Sequence, residues 1–158
     1  MPAVLGSDDW SANDFVGDSQ WGVSLNYGLH KSKVWFSGET ALSQGVAVAT
    51  TNTLLVRPLS ELQFALTHRY FSPRYHAFWA NTSSSLSGVN AEHGASFVMQ
   101  IPIGKAKNVS FLADVYKPLW SAATLSDLQM GYELRTQFQG TFSTDKILYA
   151  SLRYKVRP

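Results

Sequence analysis

Trp21-Gly22-Val23-Ser24-Leu25-Asn26-Tyr27-Gly28-Leu29 decides the fold. Trp21, Val23, Leu25, Tyr27 and Leu29 alternate with Gly22, Ser24, Asn26 and Gly28. Successive side chains of a β-strand point to opposite faces. A period of two therefore builds one apolar face and one small or polar face.

Working outward, the same alternation recurs. Val34 to Leu42 is strand-like, although the adjacent Trp35 and Phe36 leave its phase open. Gly45 to Val56 is a weaker strand, rich in Val and Thr. Leu62, Phe64, Leu66, His68 and Tyr70 form one face of a fourth. Phe97, Met99 and Ile101 mark a fifth, and Val109, Phe111, Ala113 and Val115 a sixth. Leu128, Met130, Tyr132 and Leu134 mark a seventh. Leu148, Ala150, Leu152, Tyr154 and Val156 mark an eighth. No helical period persists. The fold class expected is all-β, an antiparallel up-and-down meander of about eight long strands.

Most of these segments run for about nine to twelve residues, against about five or six for a typical globular strand. A tilted strand crossing a membrane needs about 9–11. The connections are also asymmetric. Those at Lys31-Ser32-Lys33, Arg57-Pro58-Leu59, Gly104–Lys107 and Gly140–Lys146 are short and contain basic residues. The two longest, 72–93 and 117–126, leave the same end of a meander. Short turns at one end and long loops at the other are the asymmetry of outer-membrane barrels. Trp21, Tyr70, Tyr132 and Tyr154 stand near strand ends, where interfacial aromatics belong.

Composition agrees. Aromatics are 13% and charged residues only 15% of the 158 residues, low for a water-soluble domain. A net charge of +2, with scattered basic residues, gives no footprint for nucleic acid. The absence of cysteine excludes disulfides and thiolate metal sites. The expected architecture is thus an outer-membrane β-barrel, or a segment of a larger one, over residues 19–158. Residues 1–18, with four Asp and no Lys or Arg, read as a polar arm or loop. The first residues lack the basic and apolar regions of a secretory signal. If the long loops face outward, the first strand begins on that side and the eighth ends there. Both points suggest a longer parent barrel.

The candidate functional residues fall into two sets. Glu39, Arg69, Asp114, Glu133, Arg135, Arg153 and Lys155 lie on the polar phase of their strands and are expected to face the lumen. There they would set solute selectivity or neutralise one another in a plugged interior. Facing lipid near the midplane, an Arg or Lys would cost about 2–4 kcal/mol. The second set is the loop between His68 and Gly94. Pro73 is expected to break the strand at its entrance, and Gly94 to support the turn at its exit. His76 lies near Ser83, Ser84 and Ser85, the residue types of a rim-active lipid hydrolase, though the Ser run reads equally as a flexible loop. His76 and His93 with Glu92 or Asp114 have the chemistry of metal ligands but no ligand spacing. No cofactor is expected.

That loop carries a resemblance. Tyr70-Phe71-Ser72-Pro73-Arg74-Tyr75, then Ala77-Phe78-Trp79-Ala80-Asn81, then Asn90-Ala91-Glu92-His93-Gly94 resemble the barrel region of Bacteroidota outer-membrane proteins named for an N-terminal helix-hairpin-helix domain. Asp114-Val115-Tyr116-Lys117-Pro118-Leu119-Trp120 looks like a later motif of that family, with Leu119 interrupting its Pro-Trp pair. Arg153-Tyr154-Lys155 matches a strand ending. The resemblance implies Tyr70, Ser72, Pro73, Tyr75, Phe78, Trp79, Asn81, Asn90, Glu92 and Gly94 as a loop signature. It implies a lipid bilayer as partner, with the remaining strands of a larger barrel or other outer-membrane proteins. The helix-hairpin-helix part is absent here, so no DNA contact carries over. The expected function is structural, transport or surface interaction, without catalysis. The alternatives are a soluble β-barrel binding an apolar ligand, and the lipid hydrolase.

Overall fold

The computed structural model describes residues 21–44, 46–75, 91–104, 106–119, 130–143 and 146–157. They form eight strands: β1 Gly22–Lys31, β2 Val34–Ser43, β3 Ala47–Val56, β4 Gln63–Phe71, β5 Glu92–Pro102, β6 Lys107–Pro118, β7 Gly131–Ser143 and β8 Lys146–Val156. All are antiparallel, in one sheet of order β1-β2-β3-β4-β5-β6-β7-β8, an up-and-down meander. Among the described residues there is no helix, and β1 and β8 are not paired with each other.

The strands are 9 to 13 residues long. Period-two alternation keeps one register across the sheet. Leu29 pairs with Phe36, Phe36 with Leu54, Leu54 with Leu66, Leu66 with Phe97, Phe97 with Ala113, Ala113 with Leu134, and Leu134 with Tyr154. The next row runs through Thr53, Thr67, Ser96, Asp114, Glu133 and Lys155. One face is mainly apolar and the other carries the charges.

The polar face is the buried one. Ala41, Ser43, Ala47, Ala49, Arg69, Phe71, Glu92, Asp114, Tyr116 and Glu133 all lie on it. No second layer of described residues covers it. On the other face Leu25 is 67% exposed, Leu29 69% and Leu152 76%. Burial of the polar face fades at the lateral strands, where Ser24, Asn26, Ser151 and Arg153 are exposed.

The short turns follow local rules. Ser32, at φ 53°, supplies the left-handed residue of a two-residue hairpin. Gly104, at φ 69°, is the left-handed residue of the longer connection between β5 and β6. Between β2 and β3 the left-handed residue is Val46, at φ 59°.

Several boundaries differ from the sequence reading. The pairing resolves the phase of β2: Phe36 joins the apolar row and Trp35 the polar face, where it stacks on His30 at 4.3 Å. Glu92, His93 and Gly94 belong to β5 rather than the loop, and Lys117 and Pro118 to β6, because Glu92 pairs with Pro118 across the ladder. β7 runs through the expected Gly140–Lys146 connection as far as Ser143, with a bulge between Thr141 and Ser143. The proposed arm 1–18 lies outside the described residues.

Candidate functional site

The site is the inner, polar face, and its centre is Arg69 on β4. The guanidinium donates Nε–H to Glu92 Oε1 on β5. Nη1 and Nη2 donate to Asp114 Oδ1 at 2.7 Å and Oδ2 at 3.0 Å on β6. This bidentate fork is the strong geometry for an arginine–carboxylate pair. All three groups are buried: Arg69 2% exposed, Glu92 0% and Asp114 6%. One cation shared by two carboxylates ties three strands together.

Two glycines make room for the inner side chains. Gly94 pairs with Arg69 across β4 and β5, and the guanidinium lies over its missing side chain. Gly131 pairs with Tyr116 across β6 and β7, and the phenol ring occupies the space a Cβ would need. Gly94 therefore does not support a turn, as its place near the loop suggested; it sits within β5 so that a long side chain can cross it.

A second cluster surrounds Glu133. Its Oε1 accepts from Arg135 Nη2 at 2.7 Å, and its Oε2 from Arg153 Nη2 at 2.7 Å, with Lys155 Nζ at 3.5 Å. Lys155 also stands 5.6 Å from the ring centre of Tyr116, within cation–π range. The seven charged residues singled out from the sequence thus share one face. Six of them join ion pairs, and Glu92 is a seventh participant through Arg69. Glu39 stands apart, across β2.

Glu39 instead borders a groove of about 630 Å³. Asn26, Ser37, Thr51, Phe71 and Tyr75 are among its walls. Tyr75 packs against the small apolar cluster of Ala41, Ala49 and Phe71. Its hydroxyl is pushed above the ordinary tyrosine range by burial, and secondarily by the negative charge of Glu39.

The loop signature is held at its entrance. Ser72 donates its backbone N–H to the Val48 carbonyl at 2.9 Å and accepts the Val48 N–H on Oγ at 3.1 Å. Tyr75 N–H then donates to the Ser72 carbonyl at 3.0 Å. Pro73 stands two residues beyond Phe71, the last residue of β4. Tyr70 lies on the apolar face. Phe78, Trp79, Asn81 and Asn90 lie outside the described residues, as do His76 and Ser83 to Ser85 of the hydrolase reading.

The metal reading fails for His93. It points to the face opposite Glu92 and Asp114 and meets His68, with the two Nε2 atoms 3.0 Å apart. Among the described residues no group of three His, Asp or Glu could hold a metal ion. His68 and His93 adjoin a small polar island on the otherwise apolar face. There Tyr27 donates to Asn52, Asn52 donates to Thr50, and Thr50 meets Thr40 at 3.1 Å.

Glu92, Gly94 and Tyr116 were missed as members of the inner face. The signal was present: Glu92, Gly94 and Ser96 continue the polar phase of β5 backward, against His93, Ala95 and Phe97. The density of loop-like residues before them hid it.

Comparison with protein-family models, with curated proteins and with solved structures yields no match to this chain.

Proposed function

We propose that this chain is an outer-membrane β-barrel, or a segment of a larger one, with a structural, transport or surface-interaction role. The observation that carries this reading is the inversion of burial. Arg69, Glu92, Asp114 and Glu133 are inside, while Leu25, Leu29, Leu66 and Leu152 are outside. In water a contiguous apolar surface of this kind is an association hazard. Against lipid tails it is the correct solvent. The dimensions support it as well. A ten-residue strand rising about 3.3 Å per residue and tilted about 45° spans about 23 Å, close to the apolar band of such barrels. The ion pairs that cross the inner face favour a constricted interior on the β4–β8 side over an open pore.

The resemblance to Bacteroidota helix-hairpin-helix-labelled barrels belongs to the same reading. So do the outer membrane as location, and the bilayer and further strands as partners. A soluble barrel holding an apolar ligand needs apolar inner walls, whereas here the inner walls carry the charges.

The test is insertion. The chain is refolded with lipid vesicles bearing brominated acyl chains. Quenching of tryptophan emission together with a gain of β-structure is expected. A chain that folds with equal β content in plain buffer, monomeric and unquenched, would falsify the proposal.

A further inference from the structure

Arg135 on β7 and Arg153 on β8 are direct cross-strand partners. Like charges directly opposite one another destabilise a sheet. Glu133 relieves this by accepting one Nη2–H from each arginine, both at 2.7 Å. Its two oxygens are then engaged, with Lys155 Nζ also at 3.5 Å. One carboxylate between Arg135 and Arg153 leaves that pair a balance of two minus one, or +1. Asp114 lies beside Glu133 in the ladder, but both its oxygens are held by Arg69. In the arginines' own row the β6 neighbour is Leu112, and the next polar row holds Ser110, Gln137 and Ser151. No acid faces the two guanidiniums from those rows. In addition, Arg135 Nε is shielded from solvent and has no hydrogen-bond partner among the described residues. The guanidinium of Arg153 is half exposed, so the pair is reachable.

We propose that the inner face at Arg135 and Arg153 is an oxyanion site, taking the phosphoryl or carboxylate group of a small solute. A planar oxyanion edge matches the fork of a guanidinium. Bound there, it would accept from the donors Glu133 leaves unused and remove the repulsion between the two arginines. The site rests on inner-face residues alone and holds whether or not the outer face meets lipid.

The full chain, refolded in detergent micelles, is titrated with inorganic phosphate, with acetate, and with chloride at matched ionic strength. Binding is read by calorimetry and by the unfolding midpoint. Phosphate is expected to bind saturably and to raise the midpoint beyond the chloride baseline. Arg153→Gln is expected to weaken binding about tenfold or more, the scale of a lost charge-assisted hydrogen bond. Glu133→Gln is expected to tighten binding about threefold or more, because a competing carboxylate is removed. A purely structural role for the cluster predicts no such gain. The β content of Glu133→Gln is checked first, and if it does not fold, Arg153→Gln decides. A response to phosphate alone assigns a phosphoryl group, and a response to both ions assigns oxyanions generally. Equal behaviour in all three salts, or undiminished binding by Arg153→Gln, would overturn the site.

Discussion

Arg69 lies across Gly94: a Cβ placed on Gly94 would come 2.8 Å from the guanidinium carbon. The guanidinium cannot swing aside, because Glu92 and Asp114 hold it from two further strands. The glycine is therefore part of the ion-pair cluster, although it carries no charge.

Gly94→Ala is accordingly expected to destabilise the fold by about 1–3 kcal/mol, the cost of overpacking a fixed interior. Arg69→Met is expected to cost more, about 3–5 kcal/mol, because it removes the cation that two buried carboxylates share. Denaturant unfolding of each variant in micelles measures both. If Gly94→Ala matches the parent, the packing account is wrong.

Leu66 and Leu152 provide the converse test on the outer face. An Arg at either site is expected to lower stability in a bilayer by about 2–4 kcal/mol if the site lies near the midplane. At the exposed Thr136 and Ala150, which share that face, the same direction is expected. Arg placed at the inner-face Ser151 should cost far less. Unfolding from lipid vesicles separates the two faces, and equal penalties would contradict the assignment.

Val46 is a β-branched residue at φ 59° and is 79% exposed. It carries the strain of the left-handed region without burying its side chain in return. Val46→Asn is expected to stabilise the protein by about 1 kcal/mol. A fall in the unfolding midpoint would show that the side chain has a packing role.

Tyr75 supplies a pH dependence. Burial, then the charge of Glu39, raise its pKa above the ordinary value. The folded state therefore favours the neutral phenol. That stabilisation is fully present below about pH 10 and is lost as pH rises through the raised value. The difference in tyrosinate absorbance between the parent and Tyr75→Phe should show a late-titrating group. Glu39→Gln should bring it part of the way back. A Tyr75 that titrates with the exposed tyrosines would contradict its place against Ala41, Ala49 and Phe71.

The sequence by itself determined the eight strands and, for most of them, their two faces. Period-two alternation is a local property: Trp21 to Leu29 or Leu148 to Val156 declares its apolar side without reference to any other strand. The charged residues of the candidate site could be assigned a common phase for the same reason. Pairing is not local. The partner of Arg69 depends on where β5 and β6 lie in register, which is set by turns and by contacts 23 and 45 residues away. Tertiary structure alone placed Glu92 under Arg69, turned His93 away from it, and set Arg153 opposite Arg135. It also decided which face is inside. Alternation divides residues between two sides equally well in a soluble barrel and in a lipid-facing one. Only the folded sheet, in which Arg69, Glu92, Asp114 and Glu133 are buried and Leu25, Leu29 and Leu152 exposed, shows which side is which.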